Sequence, residues 1–294
     1  DIPSSVTTIG DVAFAKCSSL TSIAIPSSVT TLGSAAFSDC TGLTSIKIPS
    51  SVASISSYAF YGCTGLTSID IPSSVTSVGE SAFYGCTGLT SIEIPSSVTR
   101  IGTNSFLSCA GLTSITVDKR NSTYHSAGNC LIETKTKKLI VGCKTSVIPS
   151  DGSVTTIDWY AFSGCTELIS IEIPASVTSI GKYAFSGSTG LISIEIPSSV
   201  TSISSYAFMG CTGLTSIEIP SSVTSIGNYA FSDCSGLTSI TVDKRNSTYH
   251  SAENCLIETK KKKLIAGCKT SAIPSDGSVT TIGSEAFSGC TGLT

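Results

Sequence analysis

The chain has 294 residues, of which 40% are hydrophobic and only 13% charged, with 17 basic against 20 acidic side chains and a formal net charge of −3. That balance excludes a binder of the nucleic-acid backbone, which needs a concentrated basic surface, and two histidines leave little material for imidazole acid–base or metal chemistry. No apolar run approaches the roughly 18–20 residues that span a bilayer, and the first residues do not read as a basic-then-apolar leader.

Length alone predicts about two ordinary domains, but the chain is periodic. Ile-Pro-Ser-Ser-Val starts at Ile2, Ile25, Ile48, Ile71, Ile94, Ile196 and Ile219, with Ile-Pro-Ala-Ser-Val at Ile173, and the step within each run is 23 residues. All ten phenylalanines fall in one column (Phe14, Phe37, Phe60, Phe83, Phe106, Phe162, Phe185, Phe208, Phe231, Phe287), and all ten prolines fall in another. A two-domain enzyme would scatter them. The expected architecture is one solenoid array over residues 1–294, with no separate catalytic domain.

Within one unit, Ile46 and Ile48 are two apart and share one face of a strand. Pro49 ends that strand at little cost. Val52 and Ile55 turn the chain away, and Gly or Ser (Gly33, Ser56, Gly79) bends it. Ala59, Phe60, Cys63 and Leu66 recur near three-residue steps, which predicts a 3₁₀ or short helical turn with one face inward. The expectation is a coil with one short parallel strand per rung, neighbours about 4.8 Å apart. Each buried Phe or Leu contributes roughly 1.5–3 kcal/mol, but only when neighbouring rungs cover it.

Residues 118–157 and 243–282 match at all but four positions, an offset of 125. Segments 118–147 and 243–272 read as inserted, hairpin-bearing long repeats. Each carries two short strands around a Lys/Thr turn, flanked by Cys130 and Cys143 or by Cys255 and Cys268. A cross-strand bridge in each pair is left open. Nine other cysteines share a repeat column in which position 188 is serine. Stacked rungs hold Cβ atoms nearly 5 Å apart, beyond the typical 3.5–4.5 Å of a disulfide, so these read as buried thiols. There is no Cys-x-x-Cys and no adjacent histidine for zinc, and nine equivalent thiols cannot each own a catalytic base.

The unit Ile-Pro-x-Ser-Val-Thr-x-Ile-Gly-x-x-Ala-Phe-x-Gly-Cys-Thr-x-Leu-Thr-Ser-Ile closely resembles the BspA-like (Treponema-type) leucine-rich repeats, over nearly the whole chain. The segment 121–133 resembles the longer hairpin-bearing repeat of that family. The resemblance implies a right-handed leucine-rich-repeat solenoid of β and 3₁₀ segments. It also implies an extracellular or cell-surface, non-enzymatic protein that adheres to host matrix proteins or other cells, and no cofactor. The chain starts and stops inside a repeat, so a fragment of a longer protein is expected, whose uncapped ends would self-associate.

Three sets of outward residues are candidates for partner contact. One column runs Ala24, Lys47, Asp70, Glu93, Thr116, then Glu172, Glu195, Glu218, Thr241. Its stacked carboxylates are either solvated and screened, or a weak acidic strip that takes a cation or basic partner. A second column holds Tyr58 and then Tyr160, Tyr183, Tyr206 and Tyr229. These rings either cover the rung below or form an interface. The lysine clusters at Lys135, Lys137 and Lys138 and at Lys260–Lys263 are either solvated turns or contacts for acidic glycans. Asn121 and Asn246 open glycosylation sequons. His125 and His250 are expected to pack at the hairpin base. Trp159 and Met209 are singletons at variable outward positions, and no nucleophile, base and orienting group assemble. Adhesion scaffold is the leading expectation; the alternative is a spacer that presents another domain.

Overall fold

The computed structural model describes residues 2–293. Two compact units divide the chain, Asp1–Thr136 with Val141–Ser146 and Lys137–Ile140 with Val147–Thr294. Each is a parallel β-solenoid, and among the described residues there is no helix.

The expected strand is present in both units. In the first, Ser22–Ile23, Ser45–Lys47 and Ser68–Asp70 form one parallel sheet, and Ser91–Ile94 pairs with Ser114–Val117. In the second, Ser170–Glu172 pairs with Ser193–Glu195, and Ser216–Ile219 with Ser239–Val242. The register joins residues one repeat apart, as in Ile46↔Ile69 and Ile194↔Ile171. The Pro column then closes a turn, with the Val52 amide donating to the Pro49 carbonyl at 3.0 Å.

Two features differ from the sequence reading. A second strand follows the proline turn in each regular rung, where Val52 and Ile55 were expected only to bend the chain. Ser54–Ile55, Ser77–Val78 and Arg100–Ile101 form a three-stranded parallel sheet. Thr156–Ile157, Ser179–Ile180, Ser202–Ile203 and Ser225–Ile226 pair in parallel, one to the next, in the second unit. A two-residue strand is too short to display alternation, so periodicity cannot reveal it.

The Ala-Phe segment is not a 3₁₀ helix either. Every amide of a 3₁₀ helix would bond within its own turn, with negative φ throughout. Here alternate amides do different things. Ala59, Tyr61 and Cys63 donate to Ser56, Tyr58 and Phe60, three residues back, at 3.3, 3.0 and 3.2 Å. Tyr58, Phe60 and Gly62 donate instead to Glu80, Ala82 and Tyr84 of the next rung, at 2.9, 2.8 and 2.7 Å. Left-handed residues four apart make the alternation geometrically feasible, Tyr58 (φ 59°) with Gly62 (φ 67°) and Tyr183 (φ 58°) with Gly187 (φ 69°). The segment is a ladder of tight turns, and its three-residue apolar spacing is the same as that of a helical turn.

The phenylalanines line up inside each unit. Phe14, Phe37, Phe60, Phe83 and Phe106 stack with centroids 5.2–5.7 Å apart and planes within 8°. Phe162, Phe185, Phe208 and Phe231 stack at 5.2–5.5 Å and within 2°. These are offset-stacked distances. Phe37, Phe60, Phe83, Phe162, Phe185 and Phe208 have no exposed surface.

The cysteine column has a specific task. Cys63 Sγ donates to the Phe37 carbonyl at 3.0 Å, Cys86 to Phe60 at 3.1 Å, and Cys211 to Phe185 at 3.1 Å. The same carbonyl accepts the amide of its own rung's cysteine, as Phe37 does from Cys40 at 3.3 Å. A buried carbonyl has two lone pairs to satisfy, and a small S–H donor fits. Ser188 is the exception that explains the rule, with its hydroxyl donating to Phe162 at 2.7 Å. All thirteen cysteines are thiols, with no bridge in the insert. Cys255 and Cys268 are engaged elsewhere, with the Ala272 carbonyl at 3.4 Å and the Thr270 hydroxyl at 3.2 Å.

The long repeats contain the expected antiparallel pairing with an added strand. In the second unit Tyr249–Ala252, Cys255–Glu258 and Lys263–Ala266 form a meander, with an irregularity between Leu256 and Ile257. Lys263–Ala266 then pairs in parallel with Thr281–Ile282. In the first unit Tyr124–Ala127 pairs with Cys130–Glu133. Buried Tyr124 and Tyr249 finish the preceding sheets, because their hydroxyls accept the amides of Ile101 and Ile226 at 3.1 and 2.9 Å. They stand where the next rung's strand would be.

Candidate binding surface

The interior is spent on packing, so the chemistry available to a partner lies in the outward columns. Asp70, Glu93, Glu172, Glu195 and Glu218 are all exposed. Their neighbours differ between the units. Asp70 lies in register with Lys47, an opposite charge, and Glu93 with Thr116. Glu172 lies directly in register with Glu195, and Glu218 with Thr241. The stacked like charges expected from the sequence are therefore present in the second unit.

Tyr160, Tyr183, Tyr206 and Tyr229 form a continuous stack, with centroids 4.8, 4.5 and 4.9 Å apart. All four are half-buried, so each ring covers its neighbour and keeps one edge in solvent. Lys182 Nζ lies 5.2 and 5.6 Å from the centroids of Tyr183 and Tyr206, within cation–π range. Tyr58 is apart from this row, 39% exposed, and tilts against Tyr61, which stacks on Tyr84 at 4.9 Å. Exposed Trp159 sits beside Tyr160 in sequence. Burial raises the Tyr206 phenol above its ordinary value, with the flanking tyrosines adding to the shift.

The insert residues are mostly occupied. Lys261 pairs with Glu258 at 2.9 Å and Lys138 with Asp158 at 3.5 Å, while Lys260 and Lys262 are exposed. His125 and His250 meet Thr134 and Thr259 at 2.9 and 2.8 Å across their hairpins. Hydrogen bonds from Arg120 hold the Asp118 carboxyl down to about 2, and Arg245 does the same for Asp243. Asn121, which opens a sequon, is a structural residue. Its Nδ2 donates to the carbonyls of Pro95 and Val98 at 2.8 and 2.9 Å, and its Oδ1 accepts the amides of Thr123 and Tyr124. Asn246 repeats the arrangement.

The first unit carries an open polar groove of about 680 Å³, lined by residues that include Thr31, Ser34 and Ser57 with Asp11, Glu80 and Arg100. Sequence reasoning also missed Ile169 and Ile192, 56% and 48% exposed. Their signal was present: every regular rung but these two has threonine in that column. Among the described residues, no group of three metal-ligating side chains gathers, and no helix is long and apolar enough to cross a membrane.

Short parallel strands, a proline turn and an aromatic interior row, repeated every 23 residues, define a leucine-rich-repeat solenoid. Residues 1–113, 138–255 and 258–294 match the BspA type leucine rich repeat region in six copies, and the chain belongs to that family. It is similar to a leucine rich cell surface protein of Faecalibacterium prausnitzii A2-165, with 34% identity over 82% of this chain and 78% of that one, and a TM-score of 0.63. A leucine-rich repeat protein of Bacteroides ovatus is 29% identical over 98% of this chain and 69% of its own, with a TM-score of 0.59. The pneumococcal vaccine antigen PcpA, at 21% identity over 88% of this chain and 80% of that one, shares the fold with a TM-score of 0.57. A search of curated proteins gives no match.

Proposed function

We propose that residues 1–294 form one array, a non-catalytic protein-binding scaffold at the cell surface or outside the cell. The observation that carries the reading is the contrast between the two sides of the same strands. Ile46, Ile69, Ile171 and Ile194 are inward and buried, whereas the outward residue between strand isoleucines changes from lysine to aspartate, glutamate and threonine and is exposed throughout. Packing fixes the inner columns, and a repeat array presents its variable columns to a partner. The surface location draws support from the description of the Faecalibacterium protein as a cell-surface one. The test is a pull-down with the whole chain against purified host matrix and cell-surface proteins. Saturable capture that competes with unlabelled chain supports the scaffold. Absence of any capture favours the array as a spacer that holds another domain at a distance.

A further inference from the structure

Two successive rungs between Glu167 and Glu195 depart from the repeat at the same exposed column, just before the strand, and the next keeps it. Three successive rungs read Glu-Leu-Ile-Ser-Ile-Glu (167–172), Gly-Leu-Ile-Ser-Ile-Glu (190–195) and Gly-Leu-Thr-Ser-Ile-Glu (213–218), with no lysine or arginine in any. In the regular rungs the third position is threonine, and its hydroxyl donates to the carbonyl of the rung before. Thr215 does so at 3.3 Å and Thr238 at 3.0 Å. Ile169 and Ile192 give up that bond. Their backbone keeps its own, since the Ile192 amide donates to the Ile169 carbonyl at 2.9 Å. The isoleucines therefore change only the side chain, and that side chain is about half in water. A β-branched pair one rung apart packs against itself, and the half of each side chain left in water is apolar surface that a partner can cover.

Charge identifies what covers it. Glu172 and Glu195 are stacked in register, an unfavourable arrangement for like charges. We infer that Ile169 and Ile192, each three residues before an exposed glutamate of the column Glu172, Glu195 and Glu218, are the docking site for a basic polypeptide segment in which lysine or arginine flanks an aliphatic residue. This inference rests on the reading of the array as a protein binder. A second copy of the chain is the poorer occupant. Its lysine-rich turn, Lys260–Lys263, carries no aliphatic side chain, and exposed aliphatics that do lie near a lysine in sequence, such as Val147 and Ile273, each present a single lysine, Lys144 or Lys269, rather than one on either side.

The probe is the fluorescent peptide Lys-Ser-Leu-Ser-Lys-Ser-Leu-Ser-Lys, in which lysine and leucine share one face when extended. Its control replaces both leucines by serine at the same charge. The intact chain is expected to bind the leucine peptide at least tenfold more tightly than the control in fluorescence anisotropy. The substitution Ile169→Thr with Ile192→Thr, which installs the array's own residue, erases that difference and leaves the circular-dichroism melt in place. The triple change of Glu172, Glu195 and Glu218 to Gln weakens both peptides. Equal binding of the two peptides, or an unchanged preference in the threonine variant, overturns the inference. So does a lowered melt in that variant, which would make the isoleucines packing residues. Self-association of the unmodified chain in sedimentation, abolished in the threonine variant, also overturns it in favour of a second copy. If a captured host protein is held equally by the threonine variant, this site fails while the array remains a binder.

Discussion

At the scale of the residue, the cysteine column shows how a polar group is built into an apolar interior. The column tolerates any small donor that reaches the phenylalanine carbonyl of the rung before, and Ser188 already does so. Cys86→Ser is therefore expected to change stability by less than about 1 kcal/mol, whereas Cys86→Val, which removes the donor and adds bulk, costs about 1–3 kcal/mol in urea unfolding. Burial pushes the Cys63, Cys86 and Cys211 thiols well up and Cys234 up to about 12. A thiol whose folded pKa lies above its ordinary value of 9.0 holds its proton in the folded chain after the unfolded chain has lost it. Stability is thus fully present below pH 9.0 and falls as pH rises toward the folded value. Thermal melts are expected to be flat through neutrality and to drop above that point, and replacing Cys63, Cys86 and Cys211 together by Ser shrinks the drop. The tyrosine column makes a second statement at this scale. Tyr183 is left-handed at φ 58°, a conformation that costs a non-glycine residue roughly 1–2 kcal/mol. Tyr183→Gly and Tyr183→Ala both lose the stack, but the glycine variant is expected to be the more stable by about 1 kcal/mol. Equal melts would show that the strain is absent.

At the scale of the element, the long repeat is where one sheet ends and another begins. The tyrosine hydroxyl substitutes for a missing strand, accepting the Ile101 amide in the first unit and the Ile226 amide in the second. Tyr124→Phe leaves the Ile101 amide without that acceptor, at a cost of about 1–3 kcal/mol. Hydrogen exchange at Ile101 is expected to accelerate while amides of the Ser45–Lys47 strand stay protected. Unchanged exchange at Ile101 would remove the capping role. This element also marks the limit of what the sequence makes legible. The inner columns are readable because Phe, Pro, Ile and Leu repeat in a fixed frame, and that frame is the packing. The turn ladder is not, since its apolar residues fall at the same steps as a 3₁₀ turn and its left-handed positions hold residues as different as tyrosine, alanine, valine, aspartate and lysine as well as glycine. The tyrosine cap joins Tyr124 to Ile101 through folded space and leaves no local pattern. On the outer face, the acidic and tyrosine columns were readable as columns, but only the register shows that Glu172 faces Glu195 while Asp70 faces Lys47. Ile169 and Ile192 were readable only to an eye that treats a break in an exposed column as information.

At the scale of the whole molecule, the unit of construction is the rung. Each rung bonds to the next through two strands and the turn ladder, so its contributions are repeated and nearest-neighbour in kind. Removing residues 67–89, one complete period, rejoins Leu66 to Thr90 in frame. That variant is expected to unfold cooperatively in urea with a slope reduced in proportion to the length lost. Removing 67–78 puts every later column out of frame and is expected to abolish the transition at that point of the array. One period makes one turn and brings identical side chains into contact. The most direct test is nuclear magnetic resonance of the chain with isotope-labelled phenylalanine rings. Ring-to-ring contacts are expected from Phe60 to Phe37 and to Phe83, whose centroids lie 5.7 and 5.5 Å away, and none from Phe37 to Phe83. Missing contacts between neighbours one period apart, or rings that meet out of that order, would contradict it.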